Sequence, residues 1–166
     1  MSMAPPVGTH VEPLVLRQVL GHVPTAVTVV TAATESGPAG LVVGSFVSVS
    51  LTPPLVGIFV DERSTSWPSM SGAGSFTVNV LAHDQRELCA RFAHSGGAKF
   101  AGLSWWESPH GNPVLPGTTA WLDCVVQQIQ RLGDHYFAVG EVVGLGMGDA
   151  VPPMVFHRGA LRTVGL

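Results

Sequence analysis

Apolar and polar positions first take a helical spacing. Leu16, Val19 and Leu20 fall at i, i+3 and i+4 after Glu12-Pro13, and Gly21 follows, which predicts a short amphipathic helix. The period then changes to two. Val23, Thr25, Val27, Val29 and Thr31 alternate with Ala26, Thr28 and Val30, a β-branched run that reads as a strand. The cluster Thr34-Glu35-Ser36-Gly37-Pro38 turns the chain, and a second β run from Ala39 to Leu51 completes a hairpin with the first. Pro53-Pro54 punctuates, Leu55 to Val60 is a third strand, and Asp61-Glu62-Arg63-Ser64 turns the chain again.

Ser66 to Met70 reads as a short helix with Ser66 as N-cap and Pro68 in its first turn, ended by Gly72 and Gly74. Phe76 to Leu81 is a strand. Asp84 with Glu87 three residues on predicts a capping box, and Leu88, Arg91 and Phe92 continue a helix up to the breaker Ser95-Gly96-Gly97. Lys99 to Pro116 shows no period and is expected as a long surface loop. Trp121 to Ile129, Tyr136 to Leu145 and Met154 to Phe156 are three further strands. About six or seven strands, three short helices and no βαβ alternation predict a mainly β fold, an antiparallel barrel with peripheral helices. No repeat or linker divides the chain, so residues 1–13 are expected to be a loose arm and 14–166 one domain.

Composition narrows the function classes. With 46% hydrophobic and 11% charged residues over 166 positions, the chain has material for one core and is no disordered segment. Eight basic against eleven acidic residues, net −3, with seven scattered arginines, argue against a nucleic-acid groove or an anionic membrane surface. Lys99 is the only lysine. Cys89 and Cys124 lack CxxC spacing and read as free thiols of a reducing compartment. Apolar runs such as Ala39 to Val43 are far shorter than the roughly 20 residues a bilayer span needs, and MSMAPPVGTHVEP lacks the regions of a signal peptide. A cytoplasmic protein is expected. A mean hydropathy of +0.36 suggests that a partner subunit covers part of the surface.

Four places invite a ligand. The stretch Gly44-Ser45-Phe46-Val47-Ser48-Val49-Ser50 is expected to carry its three hydroxyls on one strand face, which is either solvated or lines a pocket. Ser64-Thr65-Ser66 leads into a helix start, where free N–H groups suit an anion, although a plain cap explains the residues as well. Arg91-Phe92 and Lys99-Phe100 flank the glycine breaker. Gly133-Asp134-His135 sets an imidazole beside a carboxylate at a hairpin turn, at the lip of the barrel. The other histidines show no zinc-ligand spacing, and no GxSxG, GxxxxGK[ST] or GxGxxG motif occurs.

The ordered series GSFVSVSLTPP, VNVL, KFAG and GDH, within a match spanning about residues 14 to 162, resembles the flavin reductase-like, FMN-binding split-barrel family. It is most similar to the NAD(P)H:flavin oxidoreductase components of two-component monooxygenases. The resemblance implies a Greek-key split β-barrel with a few peripheral helices, a homodimer, bound FMN or FAD, and NADH or NADPH as hydride donor. Reduced flavin would pass to a partner monooxygenase; the alternative is a split-barrel enzyme that retains a flavin or deazaflavin and acts directly on a substrate. By the same resemblance Gly44, Ser45, Phe46, Val47, Ser48 and Ser50 run beside the isoalloxazine. Ser64, Thr65, Ser66, Asn79, Leu81 and Ala82 hold the ribityl and phosphate, Phe92, Lys99 and Phe100 close over it, and His135 lies where the nicotinamide docks. The chain departs from the pattern at Leu41-Val42-Val43-Gly44-Ser45, where relatives often have a Thr and a second Ser, and at Ala26, where a Gly is common.

Overall fold

The computed structural model describes residues 10–165, so most of the expected N-terminal arm lies outside the described residues. In chain order the elements are α1 (Pro13–Leu20), β1 (Thr25–Ala26), β2 (Thr28–Thr34), β3 (Gly37–Val43), β4 (Val47–Leu51), β5 (Pro54–Asp61), α2 (Trp67–Ser71), β6 (Ser75–Val80) and α3 (Arg86–Ala93). There follow β7 (Trp106–Glu107), β8 (Pro113–Val114), β9 (Ala120–Leu132), β10 (His135–Met147), β11 (Met154–His157) and β12 (Ala160–Thr163). Seven strands form one antiparallel sheet in the order β3-β2-β6-β9-β10-β5-β4. The sequence neighbours β5 and β6 are separated by the β9–β10 hairpin, a Greek-key arrangement, and the sheet curls without closing: a split barrel.

Burial explains the strand composition. β2 is buried on both faces, Val30 and Ala32 facing the barrel interior with Ile58, Val60, Phe76 and Val78, and Val29, with Val27 just before the strand, facing an outer layer with Leu81, Phe92, Leu115 and Met154. Hence its run of small and β-branched residues carries no solvent-facing alternation. Gly40 on β3 is fixed by a close approach. A Cβ there would stand 2.6 Å from the Phe92 ring, which packs α3 onto the sheet. α1, in contrast, buries none of its residues against the chain.

Five expectations need correction. The β run 39–51 is two strands, because its halves pair with opposite ends of the sheet, β3 with β2 and β4 with β5, and Gly44-Ser45-Phe46 makes the crossing. Ser45, Ser48 and Ser50 therefore do not share one strand face: Ser45 precedes β4, and a register shift falls between Ser48 and Ser50. The capping box does not form. α3 starts at Arg86, and the Gln85 side chain instead accepts the Ala82 N–H at 2.9 Å and donates to Pro116 O at 2.8 Å. A short strand beyond the expected set, β12, pairs with β11 across Arg158-Gly159, both at positive φ.

The stretch 99–116 is a surface loop only in part: residues 101–111 are mostly exposed, whereas Asn112, Val114 and Leu115 are fully buried. One carboxylate explains this. Asp123 of β9, wholly buried, accepts hydrogen bonds from Thr77 (2.9 Å), Ser108 (2.8 Å) and Asn112 (3.1 Å) at Oδ1 and from the His110 backbone N–H (3.1 Å) at Oδ2. The His110 ring lies 2.9 Å from the same Oδ2. Burial alone would raise the Asp123 pKa, but these hydrogen bonds outweigh it and hold the carboxyl below its ordinary value. A depressed native pKa gives stability that is present above the unfolded-state pKa of about 4 and lost as pH falls through the native one. Asp123→Ala should therefore lower stability near neutral pH by about 3 kcal/mol, since several buried donors lose their acceptor at once. It should also flatten the acid limb of the unfolding curve; urea titrations of both proteins between pH 3 and 7 check both effects.

Candidate functional site

A cleft of about 730 Å³ opens at the split of the barrel. One wall is the end of β3 with the crossing segment, Leu41 to Ser45; the other is the end of β5 with its turn, Phe59 to Asp61 and Arg63 to Ser66. The C-terminal end of α3, Phe92 to Ser95, and Lys99 form the floor side, and His135 stands at the lip. Its size and its mixture of aliphatic, aromatic and hydrogen-bonding groups suit a ligand with a flat apolar body and a polar tail.

The crossing segment is held by Ser45, whose hydroxyl donates to Phe59 O at 2.8 Å and accepts from Phe59 N at 3.0 Å. That side chain replaces one rung of a strand ladder, joining the crossing to β5 where no strand pair exists. Its proton is thus committed to the protein, and the cleft receives the backbone of Gly44-Ser45 rather than the hydroxyl.

The Ser64-Thr65-Ser66 segment does not act through a helix dipole, because α2 is only five residues long. Its hydroxyls are part of the wall. Ser64 Oγ accepts the Trp67 N–H at 3.3 Å, Thr65 Oγ1 shares a proton with Ser95 Oγ at 3.1 Å, and Ser66 Oγ accepts from Lys99 at 3.2 Å. Lys99 Nζ also donates to Gly40 O and Phe92 O, each at 3.1 Å. An ammonium has three protons, and all three are engaged. Partial burial pushes the Lys99 pKa down. The residue is a pin between β3, α2 and α3 that also lines the cleft.

At the lip, the β9–β10 hairpin turns through Gly133, φ +62°, and presents His135. Its Nδ1 lies 2.7 Å from Asp134 Oδ1, leaving Nε2 for a ligand, and this contact holds the Asp134 carboxyl below its ordinary pKa. The hairpin tip is tied to the β5 turn by Glu62 N–H donating to Asp134 O at 3.0 Å and by Arg131–Glu62 at 2.6 Å. Asp61 takes Arg63 Nε at 3.1 Å and Nη2 at 2.8 Å, and the guanidinium holds its carboxyl well below the usual range.

Of the residues singled out by sequence, Gly44, Ser45, Ser64, Thr65, Ser66, Phe92, Lys99 and His135 line this cleft. Phe100 lines an adjoining cavity of about 400 Å³ that shares Thr65, Ser66 and Lys99 with it. The others lie elsewhere. Phe46 packs on the barrel core, while Val47, Ser48 and Ser50 follow β4 away from the cleft. Leu81 and Ala82 are buried, and Asn79 is a core residue whose amide serves Val29 O and Thr31 Oγ1, both at 3.1 Å, and the Leu115 N–H at 2.8 Å. Residues that sequence reasoning missed are Thr25, Phe59, Asp61, Arg63, His94 and Ser95. Asp61 and Arg63 had a signal, being opposite charges two apart in the turn before the serine cluster.

An open β-barrel with a cleft at its split and an imidazole at the lip defines a small-ligand-binding split-barrel protein. The flavin reductase like domain matches residues 20–165. The chain is 44% identical over 154 residues to a flavin reductase of Pseudomonas putida, covering 92% of this chain and 91% of that protein. It is 40% identical over 149 residues to the reductase subunit of a flavin-dependent monooxygenase of Rhodococcus jostii, covering 90% and 76%. The crystallised NADH:FAD oxidoreductase of Streptomyces globisporus, in complex with NAD and FAD fragments, superposes with a TM-score of 0.87 at 33% identity, covering 95% of this chain and 98% of that one. The chain belongs to the flavin reductase like family.

The pin geometry makes a prediction. Lys99→Met keeps the aliphatic stem and deletes three donated bonds, so stability should fall by about 2 kcal/mol, and proteolysis at the Ser95-Gly96-Gly97 segment should accelerate. Unchanged melting and cleavage would mean that the ammonium holds nothing together.

Proposed function

We propose that the cleft binds a flavin, FMN or FAD, and an NAD(P)H molecule together, and that the protein reduces the flavin and releases it to a partner monooxygenase. The observation that carries this reading is the lip histidine over a cleft at the barrel split, in a chain whose relatives over nearly its full length are flavin reductases and monooxygenase reductase subunits. The flavin ring supplies the hydride-accepting chemistry. The residues do the rest by placement. Leu41, Val42, Val43 and Phe59 offer an apolar wall for a flat ring, and the Gly44-Ser45 backbone, held by the Ser45–Phe59 bonds, offers hydrogen-bonding groups along its edge. His135, with Nδ1 on Asp134, presents Nε2 to the donor's carboxamide and orients it. No side chain has to supply or remove a proton for hydride to move.

The same reading includes a homodimer. α1 leaves Leu14, Val15, Leu16, Val19 and Leu20 exposed, and Leu145 and Met147 at the end of β10 are exposed as well. So much apolar surface suits burial against a second copy. No helix of the described residues is long and apolar enough to cross a membrane, and a cytoplasmic enzyme fits a soluble nucleotide donor.

NADH oxidation measured with and without added flavin tests the function. Turnover strictly dependent on free flavin is expected; a tightly retained flavin that reduces another acceptor would favour the cofactor-retaining alternative. For His135→Ala, kcat/KM for NAD(P)H should fall by about 1–3 kcal/mol in barrier terms while flavin affinity and melting stay near wild type. A parallel loss of flavin affinity and melting temperature would mark His135 as a turn residue only. Light scattering should give twice the 17.3 kDa chain mass at micromolar concentration; a monomer of full activity would remove the dimer from the reading.

A further inference from the structure

We propose that Phe137, a residue outside the cleft, positions the flavin ring by backing Phe59, and that Gly57 is the residue that makes room for it. The inference rests on the flavin-reductase reading. It starts from the outer face of β5 and β10. Alternate residues of a strand point to opposite faces of the sheet. Val56, Ile58 and Val60 of β5 and Ala138 of β10 fill the barrel core, so Gly57, Phe59 and Asp61 face outward together with Phe137 and His135.

On that face the register sets Phe59 directly opposite Phe137, one step along from the Asp61–His135 pair at the lip. The two phenyl rings are stacked, with centroids 4.4 Å apart and planes 19° from parallel. Phe59 lines the cleft, whereas Phe137 does not. One face of the Phe59 ring is therefore taken by Phe137, which leaves the opposite face to the cleft.

Gly57 explains how the pair lies. A Cβ there would stand 2.4 Å from Phe137 Cε2, 2.7 Å from its Cζ and 3.3 Å from Val47 Cγ1. The Phe137 ring thus occupies the space of a missing side chain, next to Val47, the partner of Gly57 on β4. A glycine inside a strand weakens it and marks such a close approach. Each contact fixes the next: Gly57 and Val47 seat Phe137, Phe137 seats the Phe59 ring, and the Ser45 bonds hold the Phe59 main chain. A half-buried phenylalanine alone on a sheet face would lose rotamer freedom on meeting a ligand ring. Phe59 is set beforehand, so a planar heteroaromatic ring beside the Gly44-Ser45 backbone meets a surface of fixed plane. Phe137 is in this sense a positioning residue that acts through Phe59.

The test uses Phe137→Leu, which keeps an apolar side chain and removes the ring, Phe137→Tyr, which keeps the ring, and Gly57→Ala with and without Phe137→Leu. Steady-state NADH oxidation would be followed with FMN and with FAD, alongside thermal unfolding. Phe137→Leu should raise the KM for flavin about threefold to tenfold, the worth of one aromatic pair, while kcat at saturating flavin and the KM for NADH change less than about twofold. Phe137→Tyr should restore the wild-type KM. Gly57→Ala should raise the KM for flavin by itself but add less than about twofold in the Phe137→Leu background, since the ring it displaces is already gone. A wild-type KM for flavin in Phe137→Leu, a Tyr variant no better than the Leu variant, a rise confined to the KM for NADH, or full additivity with Gly57→Ala overturns the proposal. If Gly57→Ala does not fold, the Leu and Tyr variants decide it alone. A wild-type protein that neither binds nor reduces flavin would sink the underlying reading instead.

Discussion

A partly buried ammonium is tolerated only where its protons all find acceptors, and the cleft is arranged around meeting that demand for Lys99. Its three acceptors lie on β3, at the start of α2 and at the end of α3, segments 59, 33 and 7 residues away along the chain. Each satisfies the cation, and together they fix where the walls stand relative to one another. The C-terminal carbonyl of α3 is a natural partner, since the negative end of a helix favours a cation. Gly40 is then constrained twice: its carbonyl serves Lys99, and its missing side chain admits the Phe92 ring.

The lip is built differently, from exposed charges whose individual worth is small. Arg131–Glu62, Asp61–Arg63 and Asp134–His135 alternate in sign around the hairpin tip and the β5 turn. Position there is set by backbone: His135 pairs with Asp61 in the β10–β5 register and with Leu132 across the hairpin, and the Glu62 N–H holds Asp134 O. The side-chain pairs orient groups that the ladder has already placed. A rigid scaffold carrying adjustable polar tips would suit the flavin and nucleotide proposed to share the cleft.

Local signals made much of the fold legible. The β2–β3 and β9–β10 hairpins follow from β-branched runs and the turn residues Gly37 and Gly133, and the imidazole at the lip follows from the Gly133-Asp134 turn. What escaped depended on distant partners. β propensity is continuous from Ala39 to Leu51, and the break at Gly44–Phe46 exists only because β2 and β5 stand apart. The stretch 99–116 has no period, yet Asp123 draws Ser108, Asn112 and His110 inward. Lys99 stood out by being alone of its kind, but nothing local showed that its donors turn inward, and Arg63 read as an ordinary turn residue.

The sheet that carries the cleft has two free ends, β3 and β4, and the barrel wall is interrupted between them. The cleft draws one wall from β3 and the other from β5, the neighbour of β4. Ser45 clasps the crossing to β5, and Lys99 ties β3 to the turn after β5. A molecule seated there would touch one margin, β3, and β5, one strand in from the other margin, in the manner of a removable stave. A guest held by both walls would oppose spreading of the seam, so binding and a narrow seam would favour each other. A flavin reductase that hands on its product would gain from a wall that the bound product helps to hold.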